Sequence, residues 1–485
     1  MSVVIAENYL QHIQQQMPPS QSMTAFISSC QSPLRRSIRV NTLKISVEDF
    51  LTHTKAWGWS LTPIPWTPSG FWIEQDDKTH SAKLGNHPFH QMGLFYIQEA
   101  SSMLPPQALL STPLPAEPLV LDMAAAPGSK TTQLAAMLNN QGTIVANEIA
   151  SSRLKGLFSN IQRCGVSNTG LTHYDGRAFK QLNNEIFDAI LLDAPCGGEG
   201  TVRKDPNALA SWNIERVKQL AELQSELLES AFKVLKPGGT LVYSTCTLSQ
   251  EENQAVCQTL LDKYDAQMSI QPLHDLFSSA SRSATAEGYL HVWPQIYDSE
   301  GFFVAKLTKK ESHSTSVNSP INLGKFPFER PSKKILQEIL HFFDAEFGLN
   351  PERLTDHLWQ RDKTLWYFPH NIESLIGQIK FDRIGSKLLE IHPKGPKLLH
   401  DFAFTLGKHA KHRQIALHAA DADRYMKGED IHLDLLPWKS GFVIVTFLHQ
   451  VLGLAKIVNH RLKNHLPRDV IISNGNPQFS HYFSQ

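Results

Sequence analysis

One short stretch, from Leu119 to Thr131, constrains the fold of this chain more than any other. It reads LVLDMAAAPGSKT: an apolar run ends in Asp122, and small residues lead through Pro127 and Gly128 into a helical pattern. Open α/β sheets bind nucleotides at such a turn, because small side chains let a ligand approach the backbone and the helix N-terminus offers free N–H groups. The stretch is neither a Walker A loop nor a GxGxxG turn. Taken alone, it is also compatible with an ordinary strand-to-helix turn.

The composition of the whole chain excludes several classes of protein. Its 485 residues predict roughly two to four domains. Lys plus Arg and Asp plus Glu both number 46, so any polyanion site must come from local clusters of charge. The five cysteines have no CxxC pair and no metal-ligand spacing, which predicts a reducing compartment and no metal site. We see neither a signal-peptide pattern nor an apolar run of membrane-spanning length, and therefore expect a cytoplasmic protein without membrane contact.

Strands and helices alternate from Leu119 to about residue 309, which predicts an α/β fold with a mostly parallel, doubly wound sheet. A long amphipathic helix is predicted over Ile214–Val234, and a late strand pair ending in GFFVAKL would close the sheet. The first five predicted strands end at or near Asp122, Glu148, Asp175, Asp193 and Cys246. Strand ends are where such sheets bind ligands. Acidic residues and cysteines at one edge therefore predict a functional site.

Changes in composition along the chain predict four regions. Residues 1–110 are expected to form an α+β region that binds RNA, and residues 111–310 the α/β core. Residues 311–395 are expected to hold a Ser-rich linker and an α/β connecting domain, and residues 396–485 a β-rich, basic domain. In the first region a helix is predicted over Ala6–Gln16 and a strand over Ile38–Asn41. Three arginines flank or lie on that strand, and either contact phosphates or form a solvated strand edge: Arg35, Arg36 and Arg39.

The strand ends also indicate the kind of cofactor. A carboxylate at Glu148 can accept hydrogen bonds from ribose hydroxyls, and Asp175 can bond an adenine amino group. No phosphate-binding set of Arg and Lys accompanies the loop, whose turn offers N–H groups to an amino-acid carboxylate instead. These features suit S-adenosylmethionine better than NAD.

Two cysteines indicate the reaction. Cys196 in DAPCGGEG and Cys246 in STCT each follow a predicted strand on the cofactor-binding edge. Thiolate attack on carbon 6 of a pyrimidine activates carbon 5 for methylation, and a base must then remove the carbon-5 proton so that the thiolate can leave. A second cysteine can serve that release, while Asp193 can protonate or hydrogen-bond ring nitrogen 3. The alternative is two buried structural cysteines, the role that we expect of Cys30, Cys164 and Cys257.

Several motifs together resemble one family. DMAAAPGSKTTQLA, ANE, DAILLDAPCGGEGTVRKDP, LKPGGTLVYSTCTLSQEEN, RVNTLK and QEASS are similar to motifs of the Nop2/Sun family of RNA cytosine-C5 methyltransferases, over about residues 30–310. The resemblance implies a Rossmann-like core with Cys246 as nucleophile and Cys196 as the cysteine needed for product release. It also implies that S-adenosylmethionine is held by Glu148, Asp175, Asp193 and the loop residues Ala124, Ala125, Ala126, Pro127, Gly128, Ser129 and Lys130. The family's loop commonly begins with Cys where this chain has Ala124, and we expect little effect because backbone groups do the binding.

The layout as a whole, with an N-terminal arm and a long C-terminal extension, is most similar to family members that act on bacterial small-subunit rRNA. It implies 16S rRNA, within the small ribosomal subunit, as the partner of a monomeric enzyme. Residues 441–467 resemble a PUA domain, a small RNA-binding β-barrel, although the basic residues there and at 387–413 are also compatible with a solvated face. The target base must be flipped out to reach Cys246. The same chemistry on tRNA or 23S rRNA, and a non-catalytic RNA-binding ribosome assembly factor, remain as alternatives.

Overall fold

The N-terminal region is a small antiparallel sheet with helices around it. The computed structural model describes residues 3–75, 84–182, 184–312, 323, 325–433, 436–468, 470–471 and 479–482. The elements of the region are α1 (Glu7–Gln16), α2 (Met23–Gln31), β1 (Ser37–Val40), α3 (Val47–Ala56), β2 (Trp59–Pro63), β3 (Gly70–Gln75), α4 (Pro88–Gln91), β4 (Phe95–Ile97) and α5 (Leu104–Leu110). The strand order is β2-β3-β1-β4. The predicted helix and strand are thus present, each within one residue of the expected bounds.

The central sheet forms the core of the protein. Its elements are β5 (Leu119–Asp122), α6 (Ser129–Met137), β6 (Thr143–Asn147), α7 (Ser151–Cys164), β7 (Thr169–Thr172), β8 (Phe187–Asp193), α8 (Ile214–Val234), β9 (Leu235–Thr245), α9 (Gln254–Tyr264), β10 (Met268–Ile270), β11 (Leu290–Val292), α10 (Pro294–Tyr297) and β12 (Phe302–Lys309). The strand order is β10-β12-β9-β8-β5-β6-β7, with β11 also paired to β12. Strands β5 to β9 are parallel and β12 is antiparallel. The predicted doubly wound sheet is confirmed, and α8 has the predicted bounds.

Two strand boundaries differ from the prediction. Strand β7 ends at Thr172, so Asp175 lies three residues beyond the strand rather than at its end. Strand β9 begins at Leu235 and includes the KPGG segment expected to precede it, since its pairing with β8 starts at Phe187 and is shifted by an irregularity before Ala189. The irregularity lets the Pro-Gly-Gly segment stay within the strand.

Two smaller sheets complete the chain. The connecting region contains α11 (Lys333–Phe347), β13 (Leu358–Arg361), β14 (Thr364–Tyr367), β15 (Arg383–Ile384), β16 (Ser386–Glu390), β17 (Lys397–Leu398) and α12 (His400–Leu406). The C-terminal region contains β18 (Gln414–Ala416), α13 (Ala419–Met426), β19 (Ile431–His432), β20 (Gly441–Phe447), β21 (Gln450–Val458), β22 (Arg461–Asn464) and α14 (Phe479–Tyr482). Their strand orders are β13-β14-β16-β17 and β18-β20-β21-β22-β19, while β15 instead pairs with β7 and extends the central sheet. None of the helices in the described ranges is both long and apolar enough to cross a bilayer.

The N-terminal region packs directly against the loops that follow β8 and β9. A buried apolar cluster joins Tyr9 of α1 and Phe26 of α2 to Val202, Leu248 and Trp293 of the core. This packing holds the segments that follow the two cysteines, Cys196 and Cys246, against α1 and α2.

Arg39 of β1 is buried and ties the N-terminal sheet to α6. Its Nε donates to Gln98 Oε1 at 2.8 Å and one terminal nitrogen donates to Thr132 Oγ1 at 2.8 Å, with only 1% of the residue exposed. Both interpretations of the arginine cluster are therefore wrong for this residue, because it is too buried to contact a phosphate and β1 lies inside the sheet rather than at a solvated edge. Neighbouring Arg35 lies over the ring of Trp72 at 4.6 Å.

Candidate active site at the carboxyl edge of the central sheet

The turn between β5 and α6 presents backbone donors at the switch point of the sheet. Gly128 is the N-cap of α6 with φ of 104°, a left-handed conformation that glycine adopts without strain, and no side chain caps the helix. The N–H groups of the first helical turn have no intrahelical acceptor and point out of the helix end. Strand order reverses between β5 and β8, which places this turn where such sheets bind ligands.

Asp122, at the end of β5, lies beneath the turn and is completely buried. Its Oδ2 accepts a hydrogen bond from the Thr131 hydroxyl at 2.6 Å, and within the described residues its Oδ1 has no partner. Burial raises the pKa of this carboxyl to about 7, although the hydrogen bond from Thr131 opposes the shift. The site thus holds an unpaired acceptor below the helix end.

Lys130 connects the turn to the end of β8 and to Ser102, which lies just before α5. Its Nζ lies 2.6 Å from Asp193 Oδ2 and 2.9 Å from Ser102 Oγ, and its side chain is 8% exposed. The other carboxylate oxygen of Asp193 accepts a hydrogen bond from Ser244 Oγ at 2.8 Å. The structure therefore brings the predicted loop and Asp193 together, with Lys130 as the link.

Glu148 and Asp175 lie on the side of β6 and β7. Glu148 is 2% exposed; its Oε1 accepts the N–H of Ala150 at 2.8 Å, and Arg153 approaches its Oε2 at 3.3 Å. Asp175 is held by Arg177, whose guanidinium donates to both carboxylate oxygens at 2.6 to 3.0 Å. The pKa of Asp175 is lowered by these bonds. A carboxylate has about four acceptor positions, so each residue keeps some capacity for a ligand.

Cys196 and Cys246 meet at the ends of β8 and β9. Asp193 and Ser244 are register partners on these neighbouring strands, and the two sulfurs that follow them lie 3.2 Å apart. Both cysteines are half-buried, whereas Cys30, Cys164 and Cys257 are buried. The hydrogen bond with Cys246, together with burial, raises the pKa of the Cys196 thiol well above its usual range.

Sequence reasoning missed a buried carboxyl next to this pair, Glu252. It accepts the N–H of Gly197, and burial raises its pKa to about 7. It also missed Ile149, which directly follows Glu148 and is 60% exposed at this edge of the sheet. The QEEN segment after STCT and the apolar residue after ANE were the available signals.

Four family models cover nearly the whole chain. The model described as 16S rRNA methyltransferase RsmB/F matches residues 109–308, and the N-terminal domain of 16S rRNA methyltransferase RsmF matches residues 5–100. The pre-PUA domain of ribosomal RNA small subunit methyltransferase F matches residues 328–406, and the methyltransferase RsmF PUA domain residues 412–472.

Curated relatives match nearly the whole chain. Ribosomal RNA small subunit methyltransferase F from Aeromonas hydrophila is 51% identical over 97% of this chain and 98% of its own length. The protein of the same name from Citrobacter koseri is 50% identical over 97% of both chains. The chain belongs to the RsmB/F family of rRNA methyltransferases. The resemblance to Nop2/Sun enzymes inferred from the motifs is confirmed, and so is the PUA domain at the C-terminus.

Two solved structures share the fold of the core. A methyltransferase homolog protein from Pyrococcus horikoshii matches 63% of this chain and all of its own, with 34% identity and a TM-score of 0.51. NSun6 from Pyrococcus horikoshii matches 64% of this chain and 99% of its own, with 24% identity and a TM-score of 0.55. The predicted Rossmann-like methyltransferase fold is confirmed.

Proposed function

We propose that this enzyme methylates carbon 5 of a cytosine in 16S rRNA, with S-adenosylmethionine as methyl donor and a covalent bond between Cys246 and carbon 6 of the base. The observation that carries the proposal is the sulfur pair of Cys196 and Cys246, 3.2 Å apart at the same strand edge as Asp193. Methylation at carbon 5 needs a thiol nucleophile and a separate group for release, whereas methylation of a nitrogen or a hydroxyl needs neither. Relatives named as small-subunit rRNA methyltransferases support 16S rRNA as substrate.

The residues at the β5–α6 turn fit S-adenosylmethionine. The uncapped N-terminus of α6 offers N–H groups to the carboxylate of the amino-acid part, and the unpaired Asp122 Oδ1 offers an acceptor to its ammonium group. Glu148 would bind the ribose hydroxyls, Asp175 the adenine amino group, and the exposed Ile149 would cover the ring. Bound there, the cofactor supplies an electrophilic methyl group.

The protein's side chains would carry the remaining steps. The Cys246 thiol gives up its proton as its sulfur bonds to carbon 6, nitrogen 3 takes up a proton in exchange, and the displaced electron pair makes carbon 5 nucleophilic. After methylation, carbon 5 holds both a methyl group and a hydrogen. Loss of that hydrogen as a proton restores the carbon 5–carbon 6 double bond and expels the Cys246 sulfur, while nitrogen 3 gives up its proton. We propose that the Cys196 sulfur takes up this carbon-5 proton and so allows the product to leave.

Asp193 and Lys130 face the growing charge of the base. Their ion pair at 2.6 Å holds one carboxylate oxygen, while Ser244 fixes the other, so the carboxyl group is preorganised beside the cysteines. A preorganised polar group stabilises developing charge without the cost of reorienting during the reaction. We propose that Asp193 hydrogen-bonds nitrogen 3 and that Lys130 keeps it in place.

RNA contacts away from the cysteines are proposed for the connecting region. A cavity of about 810 Å³ lies between α7 and this region. Phe158, Phe328 and Trp366 line it, together with five exposed cations: Lys325, Arg361, Lys380, Arg383 and Lys387. Aromatic rings among basic side chains suit single-stranded RNA, because bases stack on the rings while phosphates meet the cations.

Methyl transfer from labelled S-adenosylmethionine tests the function. The substrates are assembled small subunits, naked 16S rRNA, 23S rRNA and tRNA, with Cys246→Ser as the inactive control, and the modified base is then mapped. We expect 5-methylcytosine in 16S rRNA alone. Label in tRNA or 23S rRNA would contradict the substrate, label on another atom would contradict the chemistry, and bound cofactor without any label would favour a non-catalytic assembly factor.

A further inference from the structure

Glu252 connects the two cysteine segments through a single buried carboxyl group. The residue has no exposed surface, and the N–H of Gly197 donates to both of its oxygens, at 2.9 and 3.2 Å. The Thr247 hydroxyl donates to Oε1 at 3.4 Å. Gly197 follows Cys196 and Thr247 follows Cys246, so one side chain bonds the residue after each cysteine.

Gln224 of α8 completes this arrangement. Its Nε2 donates to Glu252 Oε2 at 2.6 Å and to the carbonyl of Pro195 at 2.9 Å. The backbone of Glu252 is fixed in turn, because Tyr243 Oη donates to its carbonyl at 2.5 Å. The residues on both sides of Cys196 are therefore hydrogen-bonded to Glu252 and Gln224, which are themselves fixed by β9 and α8.

The contact with Gly197 leaves no room for a Cβ atom unless the Glu252 carboxyl moves away. A Cβ atom at this position would lie 2.7 Å from Glu252 Oε1, a distance that Cβ atoms essentially never show. The glycine thus lets the carboxyl reach the backbone directly beside Cys196.

We propose that Glu252 is a positioning residue that sets the separation of the two sulfurs and, through it, the efficiency of product release. The role in release rests on the proposed function, whereas the sulfur separation is a property of the free protein. The hydrogen bonds to Glu252 run mainly to the Cys196 side, at 2.9 Å against 3.4 Å for Thr247. Losing them should therefore disturb release by Cys196 more than attack by Cys246.

The proposed role depends on the length of the Glu252 side chain rather than on its charge, and two variants separate length from charge. Burial raises the pKa of Glu252 to about 7, so a large part of the carboxyl is neutral near neutral pH and still accepts hydrogen bonds. Glu252→Gln keeps the length and one acceptor oxygen, and Gln224 Oε1, which has no hydrogen-bond partner in the part of the chain that the structure describes, is available to the new amide. Glu252→Asp keeps the charge but shortens the side chain by one methylene, which removes the contact with Gly197.

The first experiment measures sulfur spacing in the free protein. Diamide, an azo dicarboxamide oxidant, takes two hydrogens from the two thiols and leaves a disulfide between Cys196 and Cys246, which peptide mass spectrometry quantifies over time. We expect Glu252→Asp to form this disulfide about tenfold more slowly than the unchanged protein, and Glu252→Gln to stay within about threefold. Glu229→Asp, a shortened acid on α8 that bonds Lys263 and Tyr264 instead, is the matched control and should not change the rate. Disulfide formation at the unchanged rate in Glu252→Asp would overturn the proposal.

The second experiment measures catalysis. Glu252→Asp should lower kcat about 100-fold, leave the KM for S-adenosylmethionine unchanged and accumulate covalent protein–RNA adduct on denaturing gels, while Glu252→Gln should retain most activity. An active Glu252→Asp with an inactive Glu252→Gln would assign the role to charge and refute positioning. If Glu252→Asp does not fold, Gln224→Met, which removes both bonds of Gln224, should give the same adduct accumulation. Should the unchanged protein make no 5-methylcytosine, the proposed function fails, and the disulfide rates still decide the inference.

Discussion

Replacing Arg39 with methionine tests whether this arginine is a structural tie or an RNA contact. Methionine keeps much of the volume but removes the donors to Gln98 Oε1 and Thr132 Oγ1, both at 2.8 Å. The Thr132 hydroxyl retains a hydrogen bond to the Ser129 carbonyl, whereas the Gln98 oxygen is left buried and unpaired.

The size of the effect follows from these contacts. Hydrogen bonds to a charged group contribute about 1.5–3 kcal/mol each, and part of that is offset because a buried guanidinium no longer has to be desolvated. Burial indeed lowers the pKa of Arg39 to about 10, which indicates how poorly the charge is solvated. We expect a net loss of about 2–4 kcal/mol in the free energy of unfolding of the N-terminal region and core, seen as a fall in Tm of about 5 °C or more.

Differential scanning fluorimetry and RNA binding at several salt concentrations separate the two roles. Arg36→Met is the control, since Arg36 is exposed and should change stability by no more than about 0.5 kcal/mol. If Arg39 is structural, its replacement leaves the salt dependence of RNA binding unchanged. If it contacts a phosphate, its replacement reduces the slope of log affinity against log salt concentration by about one. An unchanged Tm together with a smaller salt slope would refute the assignment.

Three further predictions follow from the site and its surroundings. Lys130→Met, which removes the 2.6 Å ion pair with Asp193, should lower single-turnover methyl transfer about 100-fold; unchanged transfer would remove Lys130 from the mechanism. The double charge reversal Arg361→Glu/Lys387→Glu should weaken binding of single-stranded RNA and reduce the dependence of its affinity on salt concentration, without changing kcat at saturating RNA. An unchanged affinity would exclude this cavity as an RNA-binding site. Burial raises the pKa of Glu300 from 4.5 to about 8, so between these values the folded protein keeps a proton that the unfolded chain has lost. Its contribution to the free energy of unfolding therefore falls as pH rises through this window, and Glu300→Gln should flatten the pH dependence of the urea midpoint between pH 5 and 8; the same slope as in the unchanged protein would contradict this.

The sequence predicted the helices and strands that are determined by residues close together along the chain. Helix α8 has the predicted bounds because its amphipathic period runs unbroken from an N-cap at Asn213 to Val234. Strand β5 and the turn after it were equally clear, since a buried parallel strand is a continuous apolar run. The cysteines at the ends of β8 and β9 followed from the same alternation of strands and helices.

Features made by distant segments could not be predicted in this way. Strand β15 joins the edge of the central sheet from the connecting region, more than 200 residues after its partner β7. Arg39 looks like part of a basic surface patch in sequence, and only the packing of β1 on α6 buries it. The QEEN segment places Glu252 after the second cysteine, but its contacts could not be predicted, because its partners Gly197 and Gln224 lie on other elements.

Trapping of the covalent intermediate tests the central claim most directly. Cys196→Ser and Cys246→Ser proteins are incubated with 16S rRNA and S-adenosylmethionine, separated on denaturing gels, and any cross-linked peptide is sequenced by mass spectrometry. We predict that Cys196→Ser accumulates an adduct in which Cys246 is bonded to a cytosine carrying the transferred methyl group, and that Cys246→Ser forms none. An adduct in Cys246→Ser but not in Cys196→Ser would exchange the two roles, and 5-methylcytosine formed by both variants without any adduct would contradict the covalent mechanism.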